Sequence, residues 1–400
     1  MSIHTSSSTT LPSIPTQLQH AKRVVIKIGS QILIDSQGRI TIDRLAAFVR
    51  QLAWLQEQGK HVVLVTSGAI ATGRPLLGFT ATDALTRVQK QACAAVGQAK
   101  LVNTYEQLFH HYGVQVAQVL LNPHDFSHRW RYQSAKEVLE QLLSHNIIPI
   151  LNENDALSDS ALFEGNANVM ALSFGDNDKL AALVASQLQA DVLVVLSNVE
   201  GIYTANPFED VTAQRLAFVP NVDELIHVNT AGKSLAGRGG MASKLDSTAV
   251  ACHSGVHVVI ASGLKNQALQ HLFEYTGEDA EFPATFVQAN AQPTQTSWKR
   301  WIGYASGYAG IITINAGATD ALLHKGASLL GVGVVACEGH FSEGNIVSLH
   351  TEAGQELGRG VVAYSSAEIQ RRCPHECLEE PLIHRDKLML FQHHGDETTL

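Results

Sequence analysis

An ammonium group stands where a buried strand should be apolar: "VVIKIGS" carries Lys27 ahead of Gly29 and Ser30. Burying that charge alone is costly, so Lys27 either snorkels from a sheet edge or meets an anion. "VVLVTSG" ends in Thr66, Ser67 and Gly68, "IIPILNEND" in Asn152, Glu153, Asn154 and Asp155, and "VLVVLSN" in Ser197 and Asn198. Glycines at two of these ends let backbone N–H groups approach an anion, and a following helix adds its positive end. That combination suits a phosphate or a carboxylate.

"GDNDKL" sets Asp176 and Asp178 around Asn177. A calcium loop needs oxygen ligands at alternate positions, and its third slot here is Leu180, which disfavours that reading. A solvated turn and a piece of an active site both stay open. "GRGGMASK" runs from Gly237 to Lys244, and Gly237, Gly239 and Ala242 match G-x-G-x-x-A formally. The dinucleotide fingerprint must follow a strand, however, and this segment follows a polar loop. "AGKS" at 231–234 resembles the end of a phosphate-binding P-loop, but the required first glycine is His227.

These stretches need a scaffold, and the surrounding periodicity supplies one. "RVVIKIGS" reads as a strand, then "TIDRLAAFVRQLAWLQEQGK" as a helix with Thr41 as N-cap, a Leu45, Phe48, Val49, Leu52, Leu55 stripe and Gly59 at its end. "HVVLVTSGAIATG" is the next expected strand, followed by a helical region between Asp83 and Tyr112. "VQVAQVLL", the helix around "SAKEVLEQLLSHN", the strand "IIPIL", and two more helix–strand pairs continue the alternation. Near-continuous apolar strands separated by helices predict a three-layer α/β/α sandwich with a mainly parallel sheet. In such a sheet, ligands bind beyond the carboxyl ends of the strands, where the polar residues above fall.

A chain of 400 residues is long for one core. The polar stretch "EFPATFVQANAQPTQTS" reads as a linker, and the glycine-rich, closely spaced short strands after it as a small, mainly β domain. The expected division is a disordered tail over 1–20, a catalytic domain over 21–285, a linker over 286–297, a mainly-β domain over 298–388 and a flexible end over 389–400. The net charge of −9 disfavours nonspecific attraction to nucleic acid or anionic membranes. Five scattered cysteines do not form a disulfide framework, which points to a reducing, cytoplasmic setting. Cys373, His375 and Cys377 lack a second ligand pair at zinc-finger spacing. The first 20 residues lack the features of a secretory signal, and no apolar run is long enough to span a bilayer.

Taken in order, "VVIKIGS", "VTSGAIATG", "ILNENDA", "GDND", "GIYTANP" and "GGMASK" closely resemble the glutamate 5-kinase branch of the amino-acid kinase family. The resemblance runs over roughly 22–388, and its last part resembles the PUA domain that many such enzymes carry. It implies ATP-dependent phosphorylation of the side-chain carboxylate of L-glutamate, with ATP and Mg2+, as the first step toward proline. Lys27 and Lys244 match the family's lysines that contact the transferring phosphoryl group, and Ser67, Asp155 and Asn177 match its glutamate contacts. Ser197 and Asn198 match the nucleotide pair after the strand, while Gly239, Gly240, Met241, Ala242, Ser243 and Lys244 match the nucleotide loop. Asp176 and Asp178 are then expected to orient those lysines or to hold magnesium through water, which makes Asp178 a candidate catalytic residue.

The resemblance further implies feedback inhibition by proline, a homodimer or homotetramer, and coupling to the next enzyme of the pathway. Asn198 stands where the family usually has Asp, Arg238 where Thr is common and Gln31 where Ser is, and the loop between Asp155 and Asp176 is longer than typical. Acetylglutamate kinase or aspartokinase chemistry is the nearest alternative. RNA binding through the PUA-like domain is another, opposed by the net charge and by the absence of a basic, aromatic-rich stripe.

Overall fold

The structure is a computed structural model describing residues 14–35, 39–122, 125–126, 129–157, 177–205, 207, 210–225, 240–277, 281–290, 299, 302–303, 308–373 and 380–391. Among these, the first eight strands are β1 (Arg23–Ile28), β2 (His61–Thr66), β3 (Val116–Leu121), β4 (Ile148–Glu153), β5 (Val192–Ser197), β6 (Phe218–Val219), β7 (His257–Ser262) and β8 (Thr285–Val287). They form one sheet in the order β3-β4-β2-β1-β5-β7-β8-β6. Neighbours pair in parallel except β7 and β8. The helices that matter for the site are α1 (Ile42–Glu57), α2 (Ala69–Leu76), α3 (Arg87–His110), α4 (Arg129–Ser144), α5 (Asn177–Leu188) and α6 (Gly240–His253).

Alternation along the strands sorts side chains onto two faces. In β1, Val24, Ile26 and Ile28 join a core with Leu45, Leu52, Leu101 and Tyr105, which belong to α1 and α3. Val25 faces the other way, into a core with Leu180, Leu183 and Leu245 of α5 and α6. Both faces are covered, which is why the strands read as continuous apolar runs. Lys27 shares the parity of Val25 and is therefore directed to the α5 and α6 side.

Four local expectations change. Within the expected disordered tail, Ile14–His20 is a helix with Leu18 buried, and within the stretch read as a linker, Thr285–Val287 is β8 of the first sheet with Phe286 and Val287 buried. The run "HVVLVTSGAIATG" is not one strand: β2 stops at Thr66, Gly68 turns the chain at φ 111°, and α2 begins at Ala69. That positive φ is open to glycine at little steric cost. Thr41 does precede α1, but its side chain makes no capping hydrogen bond, while Gly59 takes the left-handed conformation just past the helix end.

A second sheet holds β9 (Gly310–Ile314), β10 (Val334–Gly339), β11 (Ile346–Thr351), β12 (Glu356–Val361) and β13 (Leu388–Leu390), in the order β10-β9-β11-β12-β13. Its pairs are antiparallel apart from β9 with β11. It has its own apolar core around Ile312, Leu349 and Ile383. Among the described residues no helix is long and apolar enough to cross a membrane.

Candidate active site

The parallel register sets the level of the site. Lys27 pairs with Val65 on one side and Val195 on the other, and Ile28 pairs with Thr66. The carboxyl ends of β1, β2 and β5 therefore open at one height, and β4 joins them through Leu151 opposite Val65.

At that edge Asp178 is fully buried and takes both lysines. Its Oδ1 lies 2.5 Å from Lys27 Nζ and its Oδ2 lies 2.9 Å from Lys244 Nζ. The lysine side chains are only 8% and 15% exposed. One carboxylate thus holds two ammonium groups side by side and answers the cost of burying Lys27 in mid-sheet. The arrangement is possible because α5 and α6 pack on each other over the face to which Lys27 points. The two ammonium groups stand together at the sheet edge, where positive charge favours an anion.

Asn177, one residue earlier on α5, works toward β2 and β4. Its Nδ2 lies 2.7 Å from Thr66 O, 2.8 Å from Ser67 Oγ and 2.9 Å from Asn152 Oδ1. Asn152 Nδ2 in turn donates to Gln98 Oε1 at 2.9 Å, and Thr66 Oγ1 shares a 2.8 Å hydrogen bond with Tyr105 OH. Gln98 and Tyr105 belong to α3 and escaped the sequence reading. The available signal was the four-residue spacing of Cys93, Gly97, Leu101, Tyr105 and Phe109, all buried on one helix face. Burial also pushes the Tyr105 hydroxyl pKa up, so it stays a neutral partner for Thr66.

Asp155 sits two residues past β4, and burial pushes its carboxyl up to about 6. Ser197 ends β5 on the other side of β1, where its Oγ donates to Asn198 Oδ1 at 3.2 Å. Gly240 through Lys244 form the first turn of α6 and not a loop, and Met241 packs against the core below. Gly239, Asp176, Arg238 and most of the segment between Asp155 and Asn177 lie outside the described residues. So do His375 and Cys377. Lys27, Lys244 and Asp178 thus form one cluster, Ser67 and Asn177 a second that adjoins it, and Ser197 with Asn198 a third. Among the described residues no group of three His, Cys, Asp or Glu side chains is placed to hold a metal.

A mainly parallel sheet whose carboxyl edge presents paired lysines belongs with phosphate-handling α/β enzymes, and comparison with known proteins narrows this class. The family model "Amino acid kinase family" matches residues 22–262, and the model "PUA domain" matches residues 310–379. The chain belongs to the amino acid kinase family and is a kinase that uses ATP. It is 36% identical over 387 residues to the glutamate 5-kinase of Trichlorobacter lovleyi and 38% identical over 387 residues to that of Myxococcus xanthus. Each alignment covers 94% of this chain and 98% of the relative. The glutamate 5-kinase of Geobacillus kaustophilus is 37% identical, over 92% of this chain and 95% of its own length.

Proposed function

We propose that this chain phosphorylates the side-chain carboxylate of L-glutamate. A carboxylate oxygen attacks the γ-phosphorus of ATP, the bond to the β-phosphate oxygen breaks, and L-glutamyl 5-phosphate and ADP leave. The observation that carries the reading is the fully buried Asp178 gripping Lys27 and Lys244 next to an Asn177 bonded to Ser67. The near full-length likeness to glutamate 5-kinases supports the choice of substrate.

The acceptor is anionic at neutral pH, since a glutamate side chain has a pKa of about 4.3, so no general base is needed. Catalysis then rests on in-line positioning and on neutralising the oxygens of the moving group, which the two ammonium groups supply. Asp155 receives the substrate ammonium, while Ser67, Asn177 and the start of α2 receive its α-carboxylate. Ser197, Asn198 and the start of α6, from Gly239 to Lys244, receive the nucleotide. With both oxygens of Asp178 beside lysines, a magnesium ion would be held by phosphate oxygens of the nucleotide. When bound, that ion neutralises phosphate oxygens.

The same reading assigns the chain to the first step of proline formation in the cytoplasm. It includes proline as feedback inhibitor, a homodimer or homotetramer, coupling to the enzyme that consumes the labile acyl phosphate, and a division into a catalytic domain and a PUA-like domain. The deciding experiment incubates the purified protein with ATP, magnesium, hydroxylamine and L-glutamate, N-acetyl-L-glutamate or L-aspartate. Hydroxamate that depends on L-glutamate is expected, and it should fall when proline is added. Hydroxamate formed only with another acid, or with none, refutes the substrate assignment.

A further inference from the structure

Helix α2 begins directly after Ser67 and Gly68, and its first internal hydrogen bond runs from Thr72 N–H to Gly68 O. The N–H groups of Ala69, Ile70 and Ala71 come before that bond, at the helix end that attracts anions. What fixes this end is the backbone contact between α2 and α3. A Cβ on Gly97 would lie 1.9 Å from Ala69 O and 2.5 Å from Gly73 N. A Cβ on Gly73 would lie 1.9 Å from Cys93 O. The two helices touch main chain to main chain, and both glycines are buried within them.

The same helix α3 also holds the ends of β2 and β4, through Tyr105 to Thr66 and Gln98 to Asn152. It therefore acts as a rail along which three pieces of the candidate glutamate pocket are lined up. We propose that Gly73 and Gly97 are positioning residues that set how far the start of α2 stands from the two lysines, and so fix the length of acid the site accepts. This rests on the reading that the site phosphorylates glutamate and that α2 receives its α-carboxylate.

Real Cβ contacts essentially never fall below 3.0 Å, so alanine at either position must move α2 and α3 apart by about 1 Å or more. A displacement of that size costs on the order of 100-fold in a positioned reaction. The test uses the full-length protein and three acceptors: L-glutamate, 4-aminobutyrate, which lacks the α-carboxylate, and L-2-aminoadipate, which is one methylene longer. Wild type is expected to prefer L-glutamate to 4-aminobutyrate by about 10- to 100-fold in kcat/KM, the worth of charged hydrogen bonds. In Gly97→Ala and Gly73→Ala, kcat/KM for L-glutamate should fall by about 10- to 100-fold, up to the wild-type preference, and that for 4-aminobutyrate by less than about threefold. L-2-aminoadipate should gain on L-glutamate by about tenfold, and the KM for ATP should stay within about twofold. A folded variant that keeps the wild-type acceptor ratios, whatever its melting temperature, overturns the proposal.

If neither variant folds, hydrogen exchange on the wild type decides. Amides of Thr72, Gly73, Arg74 and Leu76 protected equally with and without L-glutamate support a pre-set α2, and protection that appears only with L-glutamate refutes it. A wild type that makes no glutamate hydroxamate defeats the kinase reading instead, and one that does not discriminate 4-aminobutyrate defeats the inference alone.

Discussion

Replacing Asp178 with Asn tests the centre of the site, because it keeps the shape and removes the charge. Asp178 is 0% exposed and lies 2.5 Å and 2.9 Å from two lysines that are themselves largely buried. Removing one partner from a buried ion pair costs about 3–5 kcal/mol, since the remaining charge is left uncompensated. In a domain of the size matched by residues 22–262, each kcal/mol moves Tm by about 2–4 °C, so a fall of about 6–20 °C is expected by scanning calorimetry. The loss should be smaller with saturating ATP, because phosphate oxygens then supply the missing counter-charge, and nucleotide should stabilise the variant more than the wild type. Turnover in the hydroxamate assay, measured below the variant's melting range, should fall by about 100- to 1,000-fold, the usual effect of misplacing a preorganised donor. The KM for L-glutamate should stay within about threefold, since Asp178 faces the lysines. A kcat within about threefold of wild type would refute the argument that this carboxylate aims the two ammonium groups.

Other outcomes follow from single contacts. With Asp155 pushed up to about 6, its carboxyl takes a proton as pH falls through that value and loses its hold on the substrate ammonium, so kcat/KM for L-glutamate should drop about tenfold per pH unit below about 6. The Asp155→Asn variant should lack that limb and, because ionising Asp155 in the folded protein is unfavourable above pH 6, should be more stable at pH 7 by up to about 3 kcal/mol in a denaturant titration. The Tyr105→Phe variant loses the 2.8 Å bond to Thr66 and should show a stability loss of about 1 kcal/mol with a severalfold rise in glutamate KM. Lys60, buried, donates to Leu18 O, Gln19 O and Ala21 O at 3.3, 3.0 and 2.7 Å, so Lys60→Met should speed protease cleavage around 14–22 while leaving kcat unchanged.

The sheet was legible because its strands are buried on both faces and carry little but Val, Ile and Leu, and because each ends in polar residues. Lys27 stood out as the exception within a strand. The resemblance led to the expectation that Asp176 or Asp178 orients Lys27 or Lys244, and Asp178 does; that a single carboxylate takes both was not legible, since Asp178 and Lys244 meet across 66 residues of chain only because α6 folds back onto α5. The expected nucleotide loop came out as the first turn of α6 because glycine at a helix start looks the same in sequence as glycine in a loop. The supporting role of α3 was hidden for a related reason. Its buried stripe includes Gly97 and Cys93, which read as a weak helix position and a stray thiol until the backbone of α2 is seen lying on them.

The start of α5 explains why the two halves of the site need not be built independently. Successive residues on a helix point about 100° apart. Asn177 therefore turns to β2 and β4 while Asp178 turns to β1 and α6, and both are fixed by one helical turn. On the proposed reading, the group that orients the acceptor and the group that orients the phosphoryl-binding lysines are one peptide unit apart. Any movement of this turn changes acceptor and lysines together, so a lesion in α5 that shifts it should alter kcat and glutamate KM jointly, whereas lesions at β5 or α6 alone should not.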